Sequence, residues 1–193
     1  ELLRGKELYT QIWDSKGPMI FFINALGFWL GSGSRWGLWF IELILLIIDL
    51  SLLYSVLNKK WGHAVALLGI TAGAFTLLMV FGKGNTVEEY SIFFSIISIY
   101  VFYRGLSKED HRISDIIIGA SMAASFYLRA NNIGVELVII LLIIIQAWKK
   151  KGFKPIWPRL AWLILGTLMV NIPTLLYFYL HGSLEEMLIA SIF

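Results

Sequence analysis

The stretch Trp36-Gly37-Leu38-Trp39-Phe40-Ile41-Glu42-Leu43-Ile44-Leu45-Leu46-Ile47-Ile48-Asp49-Leu50 decides the fold class. Its apolar residues fall on every face of a helix, so no amphipathic stripe selects a side for an aqueous core. Comparable runs recur along the 193 residues, over 36–57, 62–82, 90–104, 113–129, 133–148 and 157–180. Hydrophobic residues make up 58% of the chain and mean hydropathy is +0.75, which implies that lipid rather than water is the solvent. A spanning helix needs about 20 residues to cross a hydrocarbon core of roughly 30 Å, so six crossings are expected, the shorter runs extending into their flanks.

Charge placement gives the expected topology. Lys59 and Lys60, then Arg104, Lys108 and Arg112, then Lys149, Lys150, Lys151, Lys154 and Arg159 occupy alternate loops and account for ten of the 16 basic residues. Positive loops favour the cytoplasmic side, which leaves 1–35, 83–89, 130–132 and the residues from 181 onward outside. Trp36 and Trp39 fall at outer ends and Trp61, Trp148 and Trp157 at inner ends, as interfacial belts require. The net charge of +3 thus reads as a topology signal and gives no reason to expect nucleic acid. The absence of cysteine excludes disulfides, thiolate metal sites and a cysteine nucleophile. His63, His111 and His181 have no zinc-ligand spacing.

Residues 17–31 admit two readings. A helix of that length covers roughly 22 Å, and Asn24 with three glycines weakens a seventh crossing, so a helix at the outer interface is expected. The organisation is then an outer loop and juxtamembrane helix over 1–35, a six-span bundle over 36–181, and the start of a further outer segment over 182–193. The first residue, Glu1, and the last, Phe193 within an apolar run, suggest a piece of a longer protein.

Three outer segments carry candidate chemistry. In Trp13-Asp14-Ser15-Lys16-Gly17-Pro18, Pro18 suits a first helical turn, so Lys16 stands before a helix N-terminus where ammonium and free N–H groups attract an anion. Its plainer role is an anchor to lipid headgroups, with Asp14 a solvated cap. Glu88 and Glu89 follow Asn85 and Thr86; they either complement the helix dipole or turn a carboxylate toward a sugar hydroxyl or metal. Arg129, Asn131 and Asn132 crowd a very short loop. They suit phosphate and sugar hydroxyls, or else a snorkelling Arg with asparagines capping a turn. Within the spans, Glu42 and Asp49 share a face, Asn171 is a partner by depth, and Gly69 with Gly73 forms a small-residue packing pattern.

The segments Leu2-Leu3-Arg4-Gly5-Lys6-Glu7-Leu8-Tyr9, Trp13 to Pro18, Gly84 to Tyr90 and Arg129-Ala130-Asn131 resemble bacterial polyprenyl-phosphate-sugar glycosyltransferases of the GT-C fold. Those enzymes are related to protein O-mannosyltransferases and lipid A aminoarabinose transferases. The resemblance implies an all-α, polytopic transmembrane bundle with an outer interfacial helix in the bacterial cytoplasmic membrane. Its donor would be a polyprenyl-phosphate sugar and its acceptor a glycan, lipid or protein on the extracytoplasmic face. Lys16 takes the family's His or Lys position toward the lipid phosphate, with Arg129 beside it, and Gly17 replaces the family's first proline. Glu88 or Glu89 supplies the acid of the second outer loop, and Asp14, Asn131 and Asn132 join them in orienting acceptor or metal. No cofactor is assigned; a divalent metal is a candidate. The catalytic base is expected before Glu1, activating an acceptor hydroxyl for inverting attack. The rival class is a transporter or flippase whose path is lined by Glu42, Asp49 and Asn171.

Overall fold

The computed structural model describes residues 2, 5–11, 14–80, 84–106, 110–151 and 156–192. Leu3, Arg4 and Trp13 of the N-terminal motifs, Phe81 to Lys83 of the loop before Val87, Lys108, Lys154 and Phe193 lie outside the described residues, as do the side chains of Lys150 and Lys151. The described elements are α1 (Pro18–Leu30), α2 (Trp36–Trp61), α3 (His63–Val80), α4 (Val87–Gly105), α5 (Arg112–Leu128), a 3-10 turn (Ala130–Ile133), α6 (Gly134–Lys151), α7 (Ile156–Leu180) and α8 (Leu184–Ile192). Among the described residues each expected apolar run is mostly α-helical. Four of them, α2, α3, α7 and the segment Ala130–Lys149 containing α6, are long and apolar enough to cross a membrane. The large apolar side chains of α2 and α3 are mostly outward-facing, which water would penalise and lipid accepts.

The helix at the centre is α5, which touches α4, α7, α6, α1 and α8. Its run Gly119-Ala120-Ser121-Met122-Ala123-Ala124-Ser125 explains the position, because small side chains let neighbouring backbones approach closely. A methyl group on Gly119 would overlap the Leu163 carbonyl oxygen of α7, and one on Gly166 would overlap the Ile116 carbonyl oxygen of α5. Thr167 Oγ1 donates across the same crossing to the Gly119 carbonyl (3.2 Å). Below it, Asp115, wholly buried, holds Arg159 of α7 through both carboxylate oxygens. A buried pair of this geometry is costly to break on one side, about 3–5 kcal/mol. Gly69 and Gly73, the pattern picked out by spacing, do not make such a contact. A methyl on Gly69 meets the tip of Leu57, and Gly73 faces open space.

The two ends of the bundle differ in charge. Lys59, Lys60, Arg104, Arg112, Lys149 and Arg159 sit where α2 meets α3, α4 meets α5 and α6 meets α7. The opposite end, here called the rim, gathers the starts of α2, α4 and α6 and the ends of α3, α5 and α7. The 13-residue α1 is too short to cross the core and lies along this rim. Its start abuts the end of α5, where Gly17 N–H donates to the Leu128 carbonyl. Its last turns abut the start of α2, where Gly27 and Gly37 leave no room for side chains. The expected segment 17–31 thus forms a short helix packed between the end of α5 and the start of α2.

The crossing of α5 and α7 is the test of this packing. Gly119→Leu should destabilise the detergent-solubilised protein by about 3 kcal/mol or more, since neither backbone can retreat. Gly73→Leu should stay within about 0.5 kcal/mol of the parent. Equal thermal midpoints for the two variants would contradict the close approach.

Candidate functional site

The rim is assembled on the backbone contact between Gly17 and Leu128. A side chain at position 17 would overlap the Tyr127 carbonyl oxygen, so the departure from proline at this position has a steric reason. The contact also sets two cations on either side of one seam, because Lys16 precedes Gly17 and Arg129 follows Leu128. Tyr9, which sequence reasoning quoted without a role, supports the first of them. Its hydroxyl donates to the Lys16 carbonyl (2.7 Å), while its ring is buried against Phe21 and Phe178. Burial, reinforced by the nearby Asp14 charge, pushes the Tyr9 hydroxyl well above the usual phenol range, so it remains a donor. Tyr9 adopts a left-handed backbone (φ 67°), a conformation costing an aromatic residue about 1–3 kcal/mol that its packing must offset.

Lys16 itself is exposed, with Asp14 3.8 Å away. Arg129 reaches Glu88 across the rim, Nη1 donating to Oε1 at 2.7 Å. Both members of that pair are substantially exposed, so the pair contributes at most about 1 kcal/mol and an arriving anion can displace it. Asn132 is committed to structure: its amide donates to Ser91 Oγ (2.7 Å), tying the 3-10 turn to α4. Asn131 is exposed beside it.

Glu89 departs from its neighbour. Its carboxylate accepts from Thr86 N (2.9 Å) while Thr86 Oγ1 accepts from Glu89 N, a reciprocal cap that starts α4. Successive helical residues point about 100° apart, so Glu88 faces Arg129 and Glu89 faces α2. There it lines a cavity of about 330 Å³ with Glu42, Asp49 and Tyr90. Glu42 accepts from Asn85 N (2.5 Å) and from Tyr90 Oη (3.5 Å), which anchors the loop before α4 to α2. At the rim Lys16 thus pairs with Asp14 and Arg129 with Glu88, on segments joined through the Gly17–Leu128 backbone contact, while Glu89 turns toward α2.

A further expectation resolves here. Asn171 does not line the cavity with Glu42 and Asp49; its Oδ1 accepts from Tyr127 Oη (2.7 Å) and its Nδ2 donates to Thr167 O, so it joins α5 to α7. His181 turns back onto Tyr177, whose carbonyl lies 2.7 Å from Nδ1. Among the described residues no group of three or more His, Asp or Glu is arranged to hold a metal ion, so no step is assigned to one. Sequence reasoning also missed Glu136 of α6, wholly buried and accepting from Ser95 and Ser98 of α4.

Comparison with known proteins adds what geometry alone does not. No curated protein and no solved structure matches the chain. A family described as dolichyl-phosphate-mannose-protein mannosyltransferase matches residues 15–177, from the segment bearing Lys16 to the last turns of α7. The match spans most of the chain and includes every element of the rim from Lys16 to Arg129. The chain accordingly belongs to the dolichyl-phosphate-mannose-protein mannosyltransferase family, membrane glycosyltransferases of the GT-C type.

Proposed function

We propose that the protein transfers a sugar from a polyprenyl phosphate to an acceptor at the extracytoplasmic face of the membrane, with the rim as the donor site. The observation that carries this reading is the Gly17–Leu128 contact, which flanks one seam with Lys16 and Arg129. A leaving lipid phosphate gains negative charge as the glycosidic bond breaks, and two cations held at that point stabilise the transition state more than the ground state. A donor anchored in lipid arrives at the height of the interface, where the rim lies. Arg129 exchanges Glu88 for phosphate at little cost because the exposed pair is weak. Glu88, released, joins Asp14 and Asn131 in orienting the acceptor, while Asn132 keeps the 3-10 turn on α4. Glu89 keeps its structural role at the start of α4. The acceptor is a hydroxyl-bearing glycan, lipid or protein, and the membrane is the bacterial cytoplasmic membrane that the resemblance implies.

Orientation is tested first. The chain has no cysteine, so single substitutions report without background. Asn131→Cys should react with an impermeant maleimide from the outside of intact cells and Asn58→Cys only after permeabilisation. The reverse pattern would place the rim in the cytoplasm and remove the proposal.

The donor role is tested by charge removal. In the intact enzyme, Lys16→Ala and Arg129→Ala should each slow transfer from a polyprenyl-phosphate sugar on the order of 100-fold. Turnover by both variants within about threefold of the parent, measured as product formed at saturating acceptor, would exclude the rim as the phosphate site.

A further inference from the structure

The cavity beside the rim has a chemistry of its own. It lies between α2, α3 and α4, and its polar lining is Glu42, Asp49, Glu89 and Tyr90, with Leu46 and Leu77 among its apolar walls. Glu42 and Asp49 are seven residues apart on one face of α2, so the acidic lining runs about 10 Å down the helix from the rim. Glu42 and Glu89 already accept hydrogen bonds from Asn85, Tyr90 and Thr86. Asp49 is different. It is 5% exposed, it lines the cavity, and its Oδ1 is buried with no hydrogen-bond partner.

We infer that this cavity binds the ammonium head of an amphiphile, with Asp49 as its counter-ion and the apolar walls receiving its alkyl stem. Three acidic side chains line the cavity and, among the described residues, no basic one does. An anion is thereby disfavoured, which separates this cavity from the phosphate chemistry of Lys16 and Arg129. An ammonium supplies a positive charge as well as hydrogen bonds to an acidic lining in a low-dielectric setting, whereas a hydroxyl supplies hydrogen bonds alone. Trp39 and Tyr90 are the aromatic members of the same lining. The volume is at the small end for ligand sites and fits a slender chain rather than a bulky glycan. The inference rests on the cavity alone and goes beyond the sugar-transfer reading.

Dicyclohexylcarbodiimide, which modifies carboxyl groups in apolar membrane environments, provides a test at the level of a single residue. The intact protein in nanodiscs is treated with the reagent and the label on the Asp49 peptide is quantified by mass spectrometry, with Asp49→Asn to assign it. Dodecylamine, charged at neutral pH, should slow labelling at least about tenfold and saturably. Dodecanol and dodecyl phosphate should leave it unchanged, and Glu42→Gln should weaken the dodecylamine protection several-fold. No label on Asp49 in the parent protein would show a closed site, and equal protection by dodecanol would show that charge plays no part. Unaltered protection in Glu42→Gln would show that the acidic lining does not act together. Each of these results overturns the inference, and none bears on sugar transfer.

Discussion

The close approach of α5 to α7 is the constraint on which the rest depends. Two glycines, each facing a backbone carbonyl of the other helix, bring the axes together, and the Asp115–Arg159 pair fixes the register. In lipid the hydrophobic effect does not drive helices together, so packing at small residues and a few buried polar contacts must do so. Because α5 is locked along its length, its end at Leu128 and Arg129 is a rigid support. Tyr9 and the segment from Asp14 to Pro18 dock on that support, and α1 follows along the rim to α2.

This hierarchy explains the division of labour among polar groups. Several polar groups inside the bundle serve the fold: Asp115 with Arg159, Glu136 with Ser95 and Ser98, Asn171 with Tyr127. Those at the rim are exposed and weakly paired, which makes them poor stabilisers and available ligands. Glu88 and Glu89 divide along the same line within two consecutive residues. One caps a helix and lines a cavity, while the other holds an arginine that an anion can claim.

Much of the fold was legible in the sequence because lipid imposes a coarse and strong rule. Among the described residues the apolar runs became helices, Lys59, Lys60, Arg104, Arg112, Lys149 and Arg159 lie at the end opposite the rim, and the short Gly- and Asn-bearing segment at 17–31 became a short helix between α5 and α2. What spacing could not reveal was which groups meet. Gly69 and Gly73 have the usual small-residue separation yet face a side-chain tip and open space, since the pattern says nothing about the opposing helix. Asn171 matched Asp49 in depth but belongs to a helix packed on α5, not α2. The pair Glu88-Glu89 offered two equivalent acids until the Thr86 cap fixed the rotation of α4. Gly17 looked like a loss of a family proline, and only the position of the Tyr127 carbonyl shows why glycine is needed there.

Family membership gives the class of chemistry, and the seam between Gly17 and Leu128 is where we propose that it takes place. The most direct measurement is an experimental structure of the intact protein in a lipid bilayer with a polyprenyl phosphate bound. The account predicts phosphate oxygens within about 3 Å of both Lys16 Nζ and the Arg129 guanidinium, with the Glu88–Arg129 pair opened. A phosphate bound away from this seam, with Arg129 still on Glu88, would contradict it.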